Sequence, residues 1–131
     1  MVLLDTCAII WDALDPSKLS KKAKTAIENA DKNNSLIISD ISIWEISMLI
    51  KKNRIQVEAT ATQLIKLYLQ TRNIRVQPIT PEIADLSVNF DSKMNKDPAD
   101  RIISATAIVC DAKLVTSDRN LIANELLDTV W

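Results

Sequence analysis

Short, unbroken apolar runs alternate along this chain with stretches of helical periodicity, and that alternation is the strongest constraint on its fold. Val2–Leu4, Leu36–Ile38, Arg75–Ile79 and Lys113–Thr116 read as strands, with Thr129–Trp131 as a last short one. Leu36–Ile38 is apolar throughout, as expected of a strand covered on both faces. Between these runs, Ser20 caps a helix that reaches about Asp31, and Ser39-Asp40 or Ser42 starts one that ends near Lys52. Val57–Asn73 forms a longer helix, Thr80-Pro81 opens another, and Asp97-Pro98 begins one that runs to about Asp111. Phe90–Lys96 is polar and reads as a loop, and Asn53 stands where a helix often ends in the left-handed conformation. Strand and helix in this order predict an α/β fold with a mostly parallel sheet. No repeat, low-complexity tract or linker interrupts it, and 131 residues are one domain's worth, so a single domain over 1–131 is expected.

Composition removes several chemistries. The chain has no histidine, which excludes Ser-His-Asp and Cys-His sites and every His-containing zinc site. It has no glycine, so neither a P-loop nor a dinucleotide-binding phosphate turn is available. Sixteen basic against seventeen acidic residues give a net charge of −1, which disfavours a grip on nucleic acid by counterion release alone. It leaves open a nucleic-acid substrate held through metal ions. Cys7 and Cys110 follow no metal-binding spacing and read as buried free thiols of a cytoplasmic protein. No apolar run approaches the roughly 20 residues that span a bilayer, and no membrane role is expected.

Acids stand where a purely structural chain has little use for them. Asp5 follows Val2–Leu4 directly, and Asp118 follows Leu114-Val115-Thr116-Ser117. Both fall at the carboxyl ends of predicted parallel strands, the edge where open α/β sheets bind ligands. Either alone reads equally well as a turn aspartate; the pair at one edge does not. Glu45 lies on a helix that is apolar on nearly every side, which predicts burial of the helix. An unpartnered carboxylate there costs several kcal/mol. The competing reading is a capping box at Ser42-x-x-Glu45. Asp97-Pro98-Ala99-Asp100 is a good helix start in its own right. The run Ile102–Cys110 behind it is apolar all round, so its first turn must lie close to the core.

Four converging carboxylates without histidine or cysteine form a hard-oxygen site, suited to Mg²⁺ or Mn²⁺ rather than Zn²⁺. The chemistry that uses such a site is phosphodiester hydrolysis, where the cation neutralises the phosphate, orients water and stabilises the leaving oxygen.

The motifs Leu3-Leu4-Asp5-Thr6, Ser42-Ile43-Trp44-Glu45-Ile46, Asp97-Pro98-Ala99-Asp100-Arg101-Ile102-Ile103 and Leu114-Val115-Thr116-Ser117-Asp118, closing on Trp131, resemble the PIN domain. More narrowly they resemble the VapC-type ribonuclease toxins of toxin–antitoxin pairs. The resemblance implies a three-layer α/β/α sandwich around a central mostly parallel sheet. It implies a Mg²⁺- or Mn²⁺-dependent endoribonuclease. Asp5, Glu45 and Asp100 match the family's three core acids, Asp118 the fourth, and Asp97 a further aspartate nearer the edge of the site. Thr6 and Ser117 match supporting hydroxyl positions. The family is usually inhibited by a small antitoxin and usually forms homodimers. Two departures stand out. Asn53 and Asp111-Ala112-Lys113 replace positions that are often glycine, and Asn95-Lys96 and Ala99 alter the surroundings of the Asp-Pro pair.

Arg101, Arg119 and Lys96 are the foremost candidates for RNA contact, since each adjoins a site aspartate. Lys51, Lys52, Arg54 and Lys93 are weaker ones, and a solvated charged face explains lysines equally well. Other classes remain. A PIN-type nuclease for RNA processing or for DNA needs the same acids. A Mg²⁺-binding receiver-like regulatory module wants paired acids after the first strand and a late lysine, which Asp5-Thr6 and Ser117-Asp118 do not supply. A phosphohydrolase with an aspartate nucleophile wants a second aspartate where Cys7 stands.

Overall fold

The first strand to be made becomes the middle of the sheet. In the computed structural model, which describes residues 1–131, β1 (Val2–Leu4) pairs on one side with β2 (Leu36–Ser39) and on the other with β4 (Lys113–Val115). The edges are β3 (Ile74–Gln77) beyond β2 and β5 (Thr129–Val130) beyond β4, so the order is β3-β2-β1-β4-β5. Every pairing is parallel. The expected α/β/α sandwich is present, with a sheet that is parallel throughout.

Period-2 alternation splits the central strands between two cores. Leu4, Ile38 and Val115 face one layer with Ala8, Ile9, Ala23, Ile27, Ile46 and Tyr68. These side chains come from α1 (Thr6–Leu14), α2 (Lys21–Lys32), α3 (Asp40–Lys51) and α4 (Ala61–Thr71). Leu3, Ile37 and Leu114 face the other with Ile103, Ala107 and Leu121, from α6 (Pro98–Val109) and α7 (Arg119–Ile122). The helix α5 (Pro81–Asn89) packs on α6. The final residue is anchored as well: the Trp131 ring meets Trp11 of α1 at 5.5 Å between centroids.

Several details differ from the sequence reading. The helix α1 has no counterpart in it: the segment lacks a polar face to show periodicity, and its start is set by Asp5, whose side chain accepts from Ala8 N–H. The short α7 is likewise set by its cap, Asp118. The helix expected from Val57 begins at Ala61, where Thr60 and Gln63 form a capping box. Ser39 caps α3, and Ser42 lies inside it. That helix is not buried all round: Ser42 and Ile46 are its buried residues, and Trp44 is 58% exposed. Neither cysteine is buried; both are free, Cys7 exposed and Cys110 half-buried.

Without glycine, the left-handed turns fall to residues whose short polar side chains tolerate them. Asn53 takes φ 56° as its position predicts, and Asn34 and Asp111 take 54° and 49°.

Candidate active site

After β1 the chain moves outward through β2 to β3, then returns to the far side of β1 as β4. The order therefore reverses beside β1, and at such a switch point the helices diverge and leave a crevice at the carboxyl ends of the strands. Asp5 and Asp118 lie there. Leu4 is paired with Val115, and Asp5 N–H donates to Val115 O at 3.1 Å. The next residue of β4's chain, Thr116, is thereby brought beside Asp5.

Thr116 links the two acids. Its hydroxyl lowers the Asp5 carboxyl and accepts from Asp118 N–H at 3.1 Å. Sequence reasoning had singled out Ser117, which makes no hydrogen bond and lies half-exposed; Thr116 is fully buried. Its strand-end position beside Asp5 was the signal available.

Glu45 reaches the same edge from α3. The Thr6 hydroxyl hydrogen-bonds a Glu45 carboxylate oxygen and also Ser42 Oγ, the latter at 3.0 Å. Glu45 is therefore held by a side chain from the first turn of α1, and the capping-box reading does not apply. Asp97 caps α6, its Oδ1 accepting from the N–H groups of Ala99 at 2.9 Å and Asp100 at 3.2 Å. Asp100 is oriented by Asn95, whose Nδ2 donates to Oδ2 at 3.0 Å. Asp118 caps α7 in the same manner as Asp97. Helix starts favour negative charge, and parallel topology delivers several of them to one edge.

The five acids act on one another. Burial pushes the Asp5 carboxyl up to about 6, against the lowering effect of Thr116 and Ala8 and with the aid of Asp118 and Glu45. Asp100 rises to about 7, first through burial and then through the charges of Asp97, Asp118, Glu45 and Asp5. Glu45 rises by burial, partly offset by Thr6, with Asp97 adding to it. Cys7, in the first turn of α1, is an exposed residue whose thiol is partly desolvated; that and the surrounding carboxylates push it up to about 11, and it stays a neutral thiol. No lysine or arginine forms an ion pair with any of these acids; the chain's salt bridges are both made by Arg72.

The cationic candidates separate. Lys96 and Arg119 are exposed beside Asp97 and Asp118. Arg101 is half-buried and turned away: Nε donates to Asn95 O at 2.8 Å, Nη1 to Ser87 O at 3.2 Å and Nη2 to Asp91 O at 3.4 Å. It clamps the loop before α6.

An all-oxygen donor set with no cationic side chain to neutralise it fits a hard divalent ion. No three of the acids stand close enough to grip one ion directly. That arrangement fits Mg²⁺, which usually keeps several waters and takes only one or two carboxylates.

A sequence model of the PIN domain matches residues 2–125. Ribonuclease VapC22 of Mycobacterium tuberculosis (strain ATCC 25618 / H37Rv) is 38% identical over 120 residues, covering 92% of this chain and 88% of that protein. Among solved structures, VapBC2 from Rickettsia felis bound to a promoter DNA fragment superposes with a TM-score of 0.74 at 16% identity, over 98% of this chain and 97% of that one. A toxin–antitoxin complex from Klebsiella pneumoniae gives 0.66 at 23% identity, over 97% and 95%. FitAcB from Neisseria gonorrhoeae gives 0.63 at 18%, over 92% and 89%. At these identities the structures establish a shared fold.

Proposed function

The chain belongs to the PIN domain family, and on that premise we propose that it is a divalent-metal-dependent endoribonuclease, the toxin of a toxin–antitoxin pair. The observation that carries this reading is the convergence of Asp5, Glu45, Asp97, Asp100 and Asp118 at the switch-point edge with no basic partner. The 38% identity to a ribonuclease supports RNA as the substrate.

Asp5, Glu45, Asp100 and Asp118 would hold Mg²⁺ or Mn²⁺, one or two of them directly and the others through water, with Asp97 at the margin. A bound divalent ion would supply charge neutralisation at the phosphate and would lower the pKa of a water. The chain's own residues fix the geometry. Thr6 orients Glu45, Asn95 orients Asp100, and Thr116 ties Asp5 to the start of α7. Lys96 and Arg119 contact RNA phosphates at the rim. Water attacks phosphorus in line, the bond to the 3′-oxygen breaks, and a proton passes to that oxygen.

The similarity to toxin–antitoxin complexes supports an antitoxin partner, and the exposed Trp44 ring supports a protein contact over α3, from an antitoxin or a second copy. No helix is long and apolar enough to cross a membrane.

The test is cleavage of total cellular RNA in Mg²⁺, Mn²⁺ or EDTA, with Asp5→Asn and Asp100→Asn beside wild type. Cutting that needs metal, is lost in both variants and leaves 3′-hydroxyl ends is expected. Cyclic phosphate ends, or cutting that survives EDTA, overturns the mechanism.

A further inference from the structure

A groove of about 1060 Å³ adjoins the site through Asn95 and Asn120, with none of the five acids in its lining. Pockets that enclose one small ligand run to roughly 300–1,000 Å³, so a nucleoside with its flanking phosphate fits. One wall is the loop from Phe90 to Lys96 and the other is α7 with the segment to Leu126. Both walls join the site. Asn95 lines the groove and holds Asp100 at 3.0 Å, and Asn120 lines it while its N–H donates to Asp118 at 2.8 Å.

We propose that this groove seats an unpaired base of the RNA next to the scissile phosphate, with Phe90 as its stacking surface and the Asn120 amide as the group that reads its edge. This rests on the ribonuclease reading above and names the substrate form that the same site selects.

Three observations point to a base rather than to duplex backbone. First, the lining sets Lys93 and Lys96 against Asp91 and Glu125, so it is no electropositive trough for phosphates. Second, the amides are unequal. Asn89 spends its Nδ2 on Asp85, and Asn124 is bound to Met94 and Leu126, whereas the Asn120 side chain has no partner in the chain. A free amide offers a donor and an acceptor, the pair that base edges match. Third, the Phe90 wall is built in advance. The three carbonyls clamped by Arg101, those of Ser87, Asp91 and Asn95, bracket Phe90 and tie its loop to α6. Arg101 is thus a positioning residue for this wall, which explains why its charge is spent on main-chain oxygens.

The test uses the full chain, Phe90→Ala and the exposed-site variant Asn120→Ala, with folding checked by circular dichroism. Fluorescence anisotropy with short single-stranded RNA in Mg²⁺, on an Asp100→Asn background, reads binding without cleavage. Phe90→Ala is expected to weaken it about tenfold, the usual effect of removing a base-stacking ring. With Asp100 in place, the same variant raises KM in Mg²⁺ with kcat within about twofold. Asn120→Ala changes which base adjoins the cut, read by sequencing the cleavage ends. Unchanged Kd, KM and cut sites in both variants overturn the proposal. So does loss of a co-expressed partner protein with RNA binding intact, which assigns the groove to that protein. If wild type binds single-stranded RNA and Phe90→Ala weakens it, yet nothing is cut, the groove stands and the ribonuclease reading fails.

Discussion

Two groups of acids in this molecule are treated in opposite ways. At the junction of α1, α2 and α4, Arg72 grips Asp12 through Nε at 3.0 Å and Nη2 at 2.9 Å, and reaches Asp31 through Nη1 at 3.1 Å. Tyr68 adds its hydroxyl to Asp12 at 2.7 Å. Asp31 is lowered by the Asn73 N–H and by Arg72, and the Arg72 guanidinium is raised by its bonds to Asp12. At the strand ends, five acids share an edge with no guanidinium or ammonium paired to them, and Asp5, Glu45 and Asp100 rise. The first cluster lowers the energy of the fold by internal pairing. The second leaves its charge for something from outside. Carboxylates kept close without a counter-charge destabilise the protein alone, and that is the physical mark of a site.

The comparison breaks if neutralising a strand-end acid leaves activity intact. Asp100→Asn is expected to lower RNA cleavage by roughly 100-fold or more, since the charge it helps to hold supplies several kcal/mol at the transition state. The same substitution raises the melting temperature of metal-free protein at pH 8, measured by calorimetry. Arg72→Ala does the reverse. It strands Asp12, whose side chain is 3% exposed, and costs about 2–3 kcal/mol, or roughly 10 °C in Tm for a chain of this size, with the acids of the site unmoved. Equal melting temperatures for wild type and Arg72→Ala remove the structural half of the contrast. Thr6→Val keeps the fold and lowers cleavage about tenfold, because Glu45 loses the hydroxyl that orients it. An undiminished rate shows that α3 alone places Glu45.

The smallest effect is the pH dependence. Asp5 and Asp100 have folded values of about 6 and about 7, above their ordinary 3.8. The folded chain therefore binds more protons than the unfolded one between about pH 4 and 7, and stability falls as pH rises across that interval. Solvent screening reduces the share that half-buried Asp100 contributes to that fall. Asp31 runs the other way, since its lowered value adds stability that is lost as pH falls. Melting curves in EDTA from pH 4 to 8 check the first slope. Millimolar Mg²⁺ or Mn²⁺ is expected to raise Tm more at pH 8 than at pH 5. A flat profile in EDTA shows that neither burial nor mutual repulsion raises these acids.

Much of this was legible in the chain itself. Three- and four-residue apolar runs separated by helical periodicity determine a parallel α/β sheet, because only strands buried on both faces tolerate such runs and only crossovers join them in parallel. Acids placed directly after two of those runs mark the ligand-binding edge, and the lack of histidine and glycine limits what that edge can do. The fold decided what depends on neighbours distant in sequence. Thr116 rather than Ser117 supports the acids, because pairing of Leu4 with Val115 sets it beside Asp5. Glu45 is held by Thr6, 39 residues away, and not by its own helix start. Arg101, which adjoins Asp100 in sequence, turns from the site to clamp carbonyls, while Arg72 gathers acids from two other helices. Local pattern determines which segments form and which edge carries charge. Which side chains share that charge is settled by long-range packing, which one-dimensional spacing does not encode.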